Sequence, residues 1–395
     1  MSPSRPKAFA VVLLLLGALL AWWWLGTGRP PLQGGVAPGP VTAAQARETS
    51  FQDMLRKRFP GFDAVRADRA GQRCDEDTEV LVRQRWEALG SSDQRDHGIA
   101  HALLADKYGN APGTSARLLA GLSAAAPGDA ELLWFHANAC RREHGCDARA
   151  AAQRLVDAAP ENLSHWLLLV ANSAQYPQGQ SQWQSPPVNP EALADLLQDA
   201  AQHATQYRSR LGDGFLVAYS AMEDLPVPAS CNSAQLIAAR KALSAMGMRG
   251  SAVEPADSTG MAISAAMAAL THPTGDMLAG TLCQQETMPA GLLASCRAVM
   301  SQLAEGDTLL ARGVGMGLLT KLDASSLTDE ARAWRERYRQ HRWMMEQYAQ
   351  MAMETDHATL LARLSEGEVR SVQAELLRRG RWPPPADWQP RRPGP

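Results

Sequence analysis

Residues 125–138 read AAPGDAELLWFHAN, and residues 158–172 read AAPENLSHWLLLVAN. Both stretches open on Ala-Ala-Pro, carry a tryptophan inside an apolar run, and close on Ala-Asn. Pro127 and Pro160 lie 33 positions apart, and Asn138 and Asn172 lie 34 apart. Proline cannot continue a helix, so each Ala-Ala-Pro ends one helix and the run behind it starts another. Two helices per period make a hairpin, and each hairpin leaves an apolar face uncovered until the next stacks on it.

Outward from this pair the same pattern continues. The spacing of apolar residues predicts helices near 76–89, 93–108, 114–126, 130–141, 147–158 and 162–175. Asn189-Pro190-Glu191 combines a capping residue, proline at the first helical position and an acid in the first turn, and opens a helix to about 209. Further helices are read near 232–246, 258–270, 274–286, 290–304 and 307–321. Ser326-Leu-Thr-Asp329 has the spacing of a capping box and opens a long helix, 327–354. A last helix, 366–379, carries Val369, Val372 and Leu376 on one stripe. Alanine is abundant, aromatic residues make up 6% of the chain, and no stretch alternates with period two. The chain is therefore all-α.

The repeat around residues 93–175 resembles a tetratricopeptide-repeat-like helical array. The family's Gly and Tyr positions in the first helix are absent, and a helical-hairpin array of no particular family has the same pattern. What the resemblance implies is an extended concave surface for partners.

The first residues are of another kind. Ala8 to Leu25 hold no charge and no proline, and Leu13 to Leu16 are an unbroken leucine run. Eighteen residues in a helix span roughly 27 Å, close to the hydrocarbon thickness of a bilayer. Arg5 and Lys7 precede the run, which keeps the N-terminus cytoplasmic. Trp22, Trp23 and Trp24 stand at the far end, as membrane-interface residues do. Residues 1–28 thus form a membrane anchor or a cleavable signal segment. A Pro/Gly linker covers 29–48, a tetratricopeptide-like helical domain 49–175, a second linker 176–190, a second helical domain 191–380, and a Pro/Arg-rich tail 381–395. The body faces the periplasm of a single-pass inner-membrane protein, or is released there after cleavage.

Six cysteines suit an oxidising compartment. Cys140 and Cys146 flank one interhelical turn, and Cys283 and Cys296 another. Cys74 and Cys231 are left to pair by elimination. Free thiols remain open as a reading, as does a metal site of Cys140, His144 and Cys146, which would lack a fourth ligand.

Other candidate chemistry has a structural alternative. His97 and His101 share a helix face without the acid of a metalloprotease motif. Gly90-Ser91-Ser92 holds only one glycine of a nucleophile elbow. Gly313, Gly315 and Gly317 fit close helix packing better than a phosphate loop. Met344, Met345, Met351 and Met353 come nearest to a soft-metal cluster, with core filling as the alternative. Helix 327–354 interleaves Trp334, Arg337, Tyr338, Arg339, His341 and Trp343, a pattern for anionic partners or a solvated face. Lys+Arg 39 against Asp+Glu 41 argues against nucleic-acid binding. No residue stands out as catalytic, cofactor-binding or metal-ligating. The expected function is a membrane-tethered periplasmic scaffold or adaptor for another envelope protein. The alternative is a hydrolase-like envelope enzyme with a helical cleft, acting on a cell-wall or lipid substrate.

Overall fold

Asp129, Asp147 and Asn162 each turn a side-chain oxygen onto the unpaired amides of a following helix, at 2.9–3.2 Å. Short polar caps of this kind, together with the prolines, cut an alanine-rich chain into hairpins. The structure is a computed structural model describing residues 64–109, 111–143, 145–176, 187–245, 256–269, 275–284, 290–323, 328–351 and 356–390. Among these the chain is all-α, with sixteen α-helices, two 3-10 turns and no strand.

The first half is a run of sequential neighbours. Helices α1 (Ala64–Leu89), α2 (Arg95–Tyr108), α3 (Thr114–Ala125), α4 (Ala130–Cys140), α5 (Ala148–Ala158), α6 (Leu163–Ser173) and α7 (Pro190–His203) each pack on the next. The repeat residues explain themselves here. Trp166 Nε1 donates to the Pro160 carbonyl at 2.8 Å. Asn172 Nδ2 donates to the carbonyls of Ala137 and Ala148, tying α6 back across α4 and α5.

The chain then returns. Helix α8 (Leu211–Met222) packs on α2, and Gly214 lies against Phe135 of α4 and Leu103 of α2. After a 3-10 turn (Ala229–Asn232) come α9 (Ala234–Ala245), α10 (Ser258–Ala266) and α11 (Gly275–Leu282), and α11 packs on α6. The face made by α2, α4 and α6 is thus covered by α8 and α11. Helices α12 (Ala290–Ala304), α13 (Leu309–Leu322) and α14 (Asp329–Met351) stack in turn, and α15 (His357–Glu366) with α16 (Glu368–Arg378) closes the fold.

One hydrophobic core runs from Val82 in α1 through Leu163 and Phe215 to Leu319 in α13. Helices on both sides of the 176–190 break therefore share one core. A smaller cluster joins Leu309, Met344, Met351, Val369, Val372 and Leu376.

Several local readings are corrected. Helix α1 starts at Ala64, upstream of residue 76, and α7 stops at His203, short of 209. Helices α8 and α15 were not anticipated. Asn189 does not cap α7: its Oδ1 accepts from Gln175 N and its Nδ2 donates to the Ser173 carbonyl, both at 2.9 Å. Thr328 caps α14 through Ala331 N, and Ser326 lies outside the described residues. Residues 381–390 of the tail are not free. Arg339 donates to the carbonyls of Pro385 and Trp388, Trp343 Nε1 donates to the Arg381 carbonyl, and Trp343 meets Trp388 edge-on at 5.2 Å.

The expected anchor, residues 1–28 with Trp22, Trp23 and Trp24, lies outside the described residues, as does the linker 29–48. Among the described residues no helix is long and apolar enough to cross a membrane.

Candidate functional site: a polar cleft where four segments meet

Residues 204–210 link α7 to α8, and Tyr207, Arg208 and Ser209 among them form one wall of a cleft of about 710 Å³. This short linker is pinned along its length. Thr205 and Gln206 amides donate to the Glu161 carbonyl, and Leu163 N donates to the Gln206 carbonyl. Asn162 grips Arg208 with both ends of its amide: Oδ1 accepts from Arg208 N at 3.0 Å, and Nδ2 donates to Arg208 O at 3.1 Å. Gln302 Nε2 donates to the Ala204 carbonyl at 2.7 Å.

The second wall is the turn between α12 and α13. Asp307 Oδ1 accepts from Ser209 N at 3.0 Å, and the Asp307 carbonyl accepts from Val369 N at 3.1 Å. One residue thereby joins the linker, the start of α13 and the start of α16. Burial raises the Asp307 carboxyl above its usual range, with the Ser209 amide and Arg208 opposing and Asp213 adding to the rise. Glu368 Oε2 accepts from Leu309 N at 2.9 Å, capping α13 from another helix.

The third wall is the elbow between α15 and α16, where Gly367 takes φ +91, a backbone angle that glycine adopts at little cost. From it Glu366 and Arg370 face solvent while Arg363 is only 7% exposed. The Arg363 guanidinium lies 5.0 Å over the Tyr348 ring of α14. Its Nε has no hydrogen-bond partner among the described residues.

Tyr207 closes the inner end. Its hydroxyl donates to Asp276 Oδ2 at 2.8 Å, and both residues are buried. Burial pushes the Asp276 carboxyl up to about 7, with the Tyr207 hydrogen bond working the other way. The cleft therefore combines Asp213, Asp307, Glu366 and Glu368 with Arg208, Arg363 and Arg370.

The cysteines are joined as Cys74–Cys231, Cys140–Cys146 and Cys283–Cys296, with Cα separations of 4.6, 5.2 and 5.7 Å. None is free. The three-residue set considered for metal is changed: His144 lies outside the described residues, and His136 of α4 comes to the sulfurs instead. The ligand atoms of His136, Cys140 and Cys146 lie within 4.8 Å of one another. Both sulfurs are spent in the disulfide, so they are not the thiolates that metals take.

His97 and His101 are each engaged by a different partner. Ser92 Oγ lies 2.8 Å from His97 Nδ1. His101 stacks on Trp86 at 4.5 Å, its Nδ1 on the Trp86 carbonyl, while Trp86 Nε1 donates to the His101 carbonyl. Ser91 donates to the Ala88 carbonyl at a helix end, not at a strand-to-helix elbow. Gly313, Gly315 and Gly317 lie inside α13, facing His341, the α12 backbone and Tyr338. Met344 and Met351 fill the small core, and Met345 is exposed. On α14, Arg337 stacks on Trp334 at 4.8 Å and pairs with Glu305, and Arg339 pairs with Glu336. His341 is buried, and burial pushes its pKa down to about 4.

No family model, curated protein or solved structure matches the chain.

Proposed function

We propose that the chain is a membrane-tethered periplasmic scaffold that seats a segment of another envelope protein in the cleft between Tyr207 and Arg370. The observation that carries this reading is the cleft itself, about 710 Å³ and lined by acidic and basic side chains together. Carboxylates and guanidiniums side by side there suit a polypeptide bearing both charges. Export is supported by the apolar run Ala8–Leu25 and by the pairing of all six cysteines.

The test is a photo-crosslinking residue at exposed Ser365, with exposed Gln153 of α5 as the distant control. A single envelope protein captured from position 365 and not from 153, and lost when Glu366→Arg and Arg370→Glu are combined, supports the reading. Equal capture at both positions overturns it. A reporter fused after Thr42 that proves cytosolic overturns the export part.

The second reading, a hydrolase-like envelope enzyme, draws on Asp276, because a carboxyl titrating near neutrality marks many catalytic sites. Hydrolysis of a wall or lipid substrate that Asp276→Asn abolishes would favour it.

A further inference from the structure

The three disulfides differ in surroundings. Cys283 and Cys296 are both buried, and Cys231 is 1% exposed beside half-buried Cys74. In the third pair Cys140 is 1% exposed, at the end of α4, while Cys146 is half-buried in the turn before α5. Its two cysteines are 6 residues apart, against 13 and 157 for the others. A short loop restrains the unfolded chain least, so this bridge adds least to stability.

Next to the more exposed sulfur stands an imidazole. His136 Nε2 lies 3.9 Å from Cys146 Sγ, and Arg154 Nη2 lies 3.3 Å from His136 Nδ1. A guanidinium only donates, so Nδ1 is the acceptor and the ring proton sits on Nε2, pointing at the sulfur. Burial and Arg154 both lower the His136 pKa. The turn itself adds Arg141 and Arg142. A hydrogen-bond donor at a half-buried cysteine, with the Arg154 cation behind the ring, is a setting that stabilises a thiolate.

We infer that Cys140–Cys146 is an exchangeable disulfide, with Cys146 the exchanging sulfur and His136 the group that holds it as thiolate. The co-reactant is a client dithiol. One client thiolate attacks Cys146 Sγ, and the bond to Cys140 breaks with its electron pair going to Cys140, which takes a proton. The second client thiolate attacks the client sulfur of the mixed disulfide. The client disulfide forms, and Cys146 leaves as a thiolate under the His136 N–H. Two electrons pass to the chain, and two thiol protons leave the client. This inference is independent of the cleft.

The full oxidised chain is titrated with graded ratios of reduced to oxidised dithiothreitol, trapped with N-ethylmaleimide and mapped by peptide mass. Cys140–Cys146 is expected to open at a ratio at least tenfold less reducing than either other bridge needs. In that partly reduced chain, Cys146 is expected to alkylate at pH 7 about tenfold faster than an unstructured peptide thiol. His136→Gln should remove that advantage. Opening together with or after Cys283–Cys296, or Cys146 reacting at the peptide rate, overturns the inference. Both comparisons are made in the unaltered chain, so they stand even where His136→Gln fails to fold.

Discussion

Asn162 holds Arg208 by its main chain, accepting from the amide and donating to the carbonyl with one side chain. The same carboxamide caps α6 through Ser164 N, and its Nδ2 lies 3.2 Å from His165 Nε2. His165 Nδ1 is 2.9 Å from the Ala159 carbonyl and can only donate there, so Nε2 is the acceptor. The turn between two repeat helices thereby sets the position of the cleft wall 46 residues later.

Replacing Asn162 should loosen that wall. Asn162→Ala strands buried groups on both sides and is expected to cost about 2–4 kcal/mol. Asn162→Asp keeps the acceptor and loses both donations, so it should fall between. Urea unfolding monitored by circular dichroism gives both values, and equal stability of parent and Asn162→Ala would show the grip to be idle.

Asp276 makes stability depend on pH. Its folded pKa of about 7 lies above the ordinary 3.8, so the protonated carboxyl favours the fold. That contribution is complete below about pH 4 and is lost as pH rises to 7, amounting to roughly 4 kcal/mol. Asp276→Asn cannot ionise. The melting temperature of the variant minus that of the parent should climb from pH 4 to pH 7 and then level off.

Two histidines act in the opposite sense. His165 and His341 both have folded pKa values of about 4, lowered first by burial, against an ordinary 6.5. Their contribution is present above pH 6.5 and is lost as pH falls toward 4. His341 also keeps a buried Nδ1 with no partner among the described residues. His341→Leu should therefore gain on the parent steadily from pH 7 to pH 5, which thermal melts across that range would reveal.

The glycines of α13 should be unforgiving where backbones meet. A Cβ at Gly315 would collide with Ala304 N and Met300 O, both backbone atoms of α12. Gly315→Ala is expected to cost more than about 2 kcal/mol. Gly121 in α3 has nothing within 4 Å of a new Cβ, so Gly121→Ala should stabilise by up to about 1 kcal/mol. A pair of urea titrations giving the two changes the same sign would refute the contrast.

The helical class and most of the hairpins were legible because proline, caps and apolar spacing act locally. Helix α8 was not, since Gly212 and Gly214 lower the helix propensity of LGDGFLVAYSAM. They are there for contact: a Cβ on Gly212 would meet the Leu364 carbonyl at 2.6 Å, and one on Gly214 would meet Phe135 at 3.0 Å. Close tertiary approach outweighs the helix penalty of glycine, and no window of sequence shows it. Helix α15 did carry a local signal, Asp356 capping Thr359 N ahead of Leu360, Leu361 and Leu364. The cleft was illegible for another reason. Its residues come from 207–213, 305–308, 348 and 360–370, so no motif spacing relates them. His136 precedes Cys140 by one helix turn and so lies outside the stretch CRREHGC, and only the fold of α4 brings its ring to the sulfurs.

The bond between Cys74 and Cys231 encloses residues 75–230, and with them α2 to α8, in a covalent ring. Tension applied between the two ends of the chain runs from α1 across that bond into the later helices and bypasses everything inside the ring. Under mechanical load the repeat hairpins would stay slack while α9 to α16 bear the strain. A chain hung from one end could thus be pulled upon without its first seven enclosed helices being drawn out.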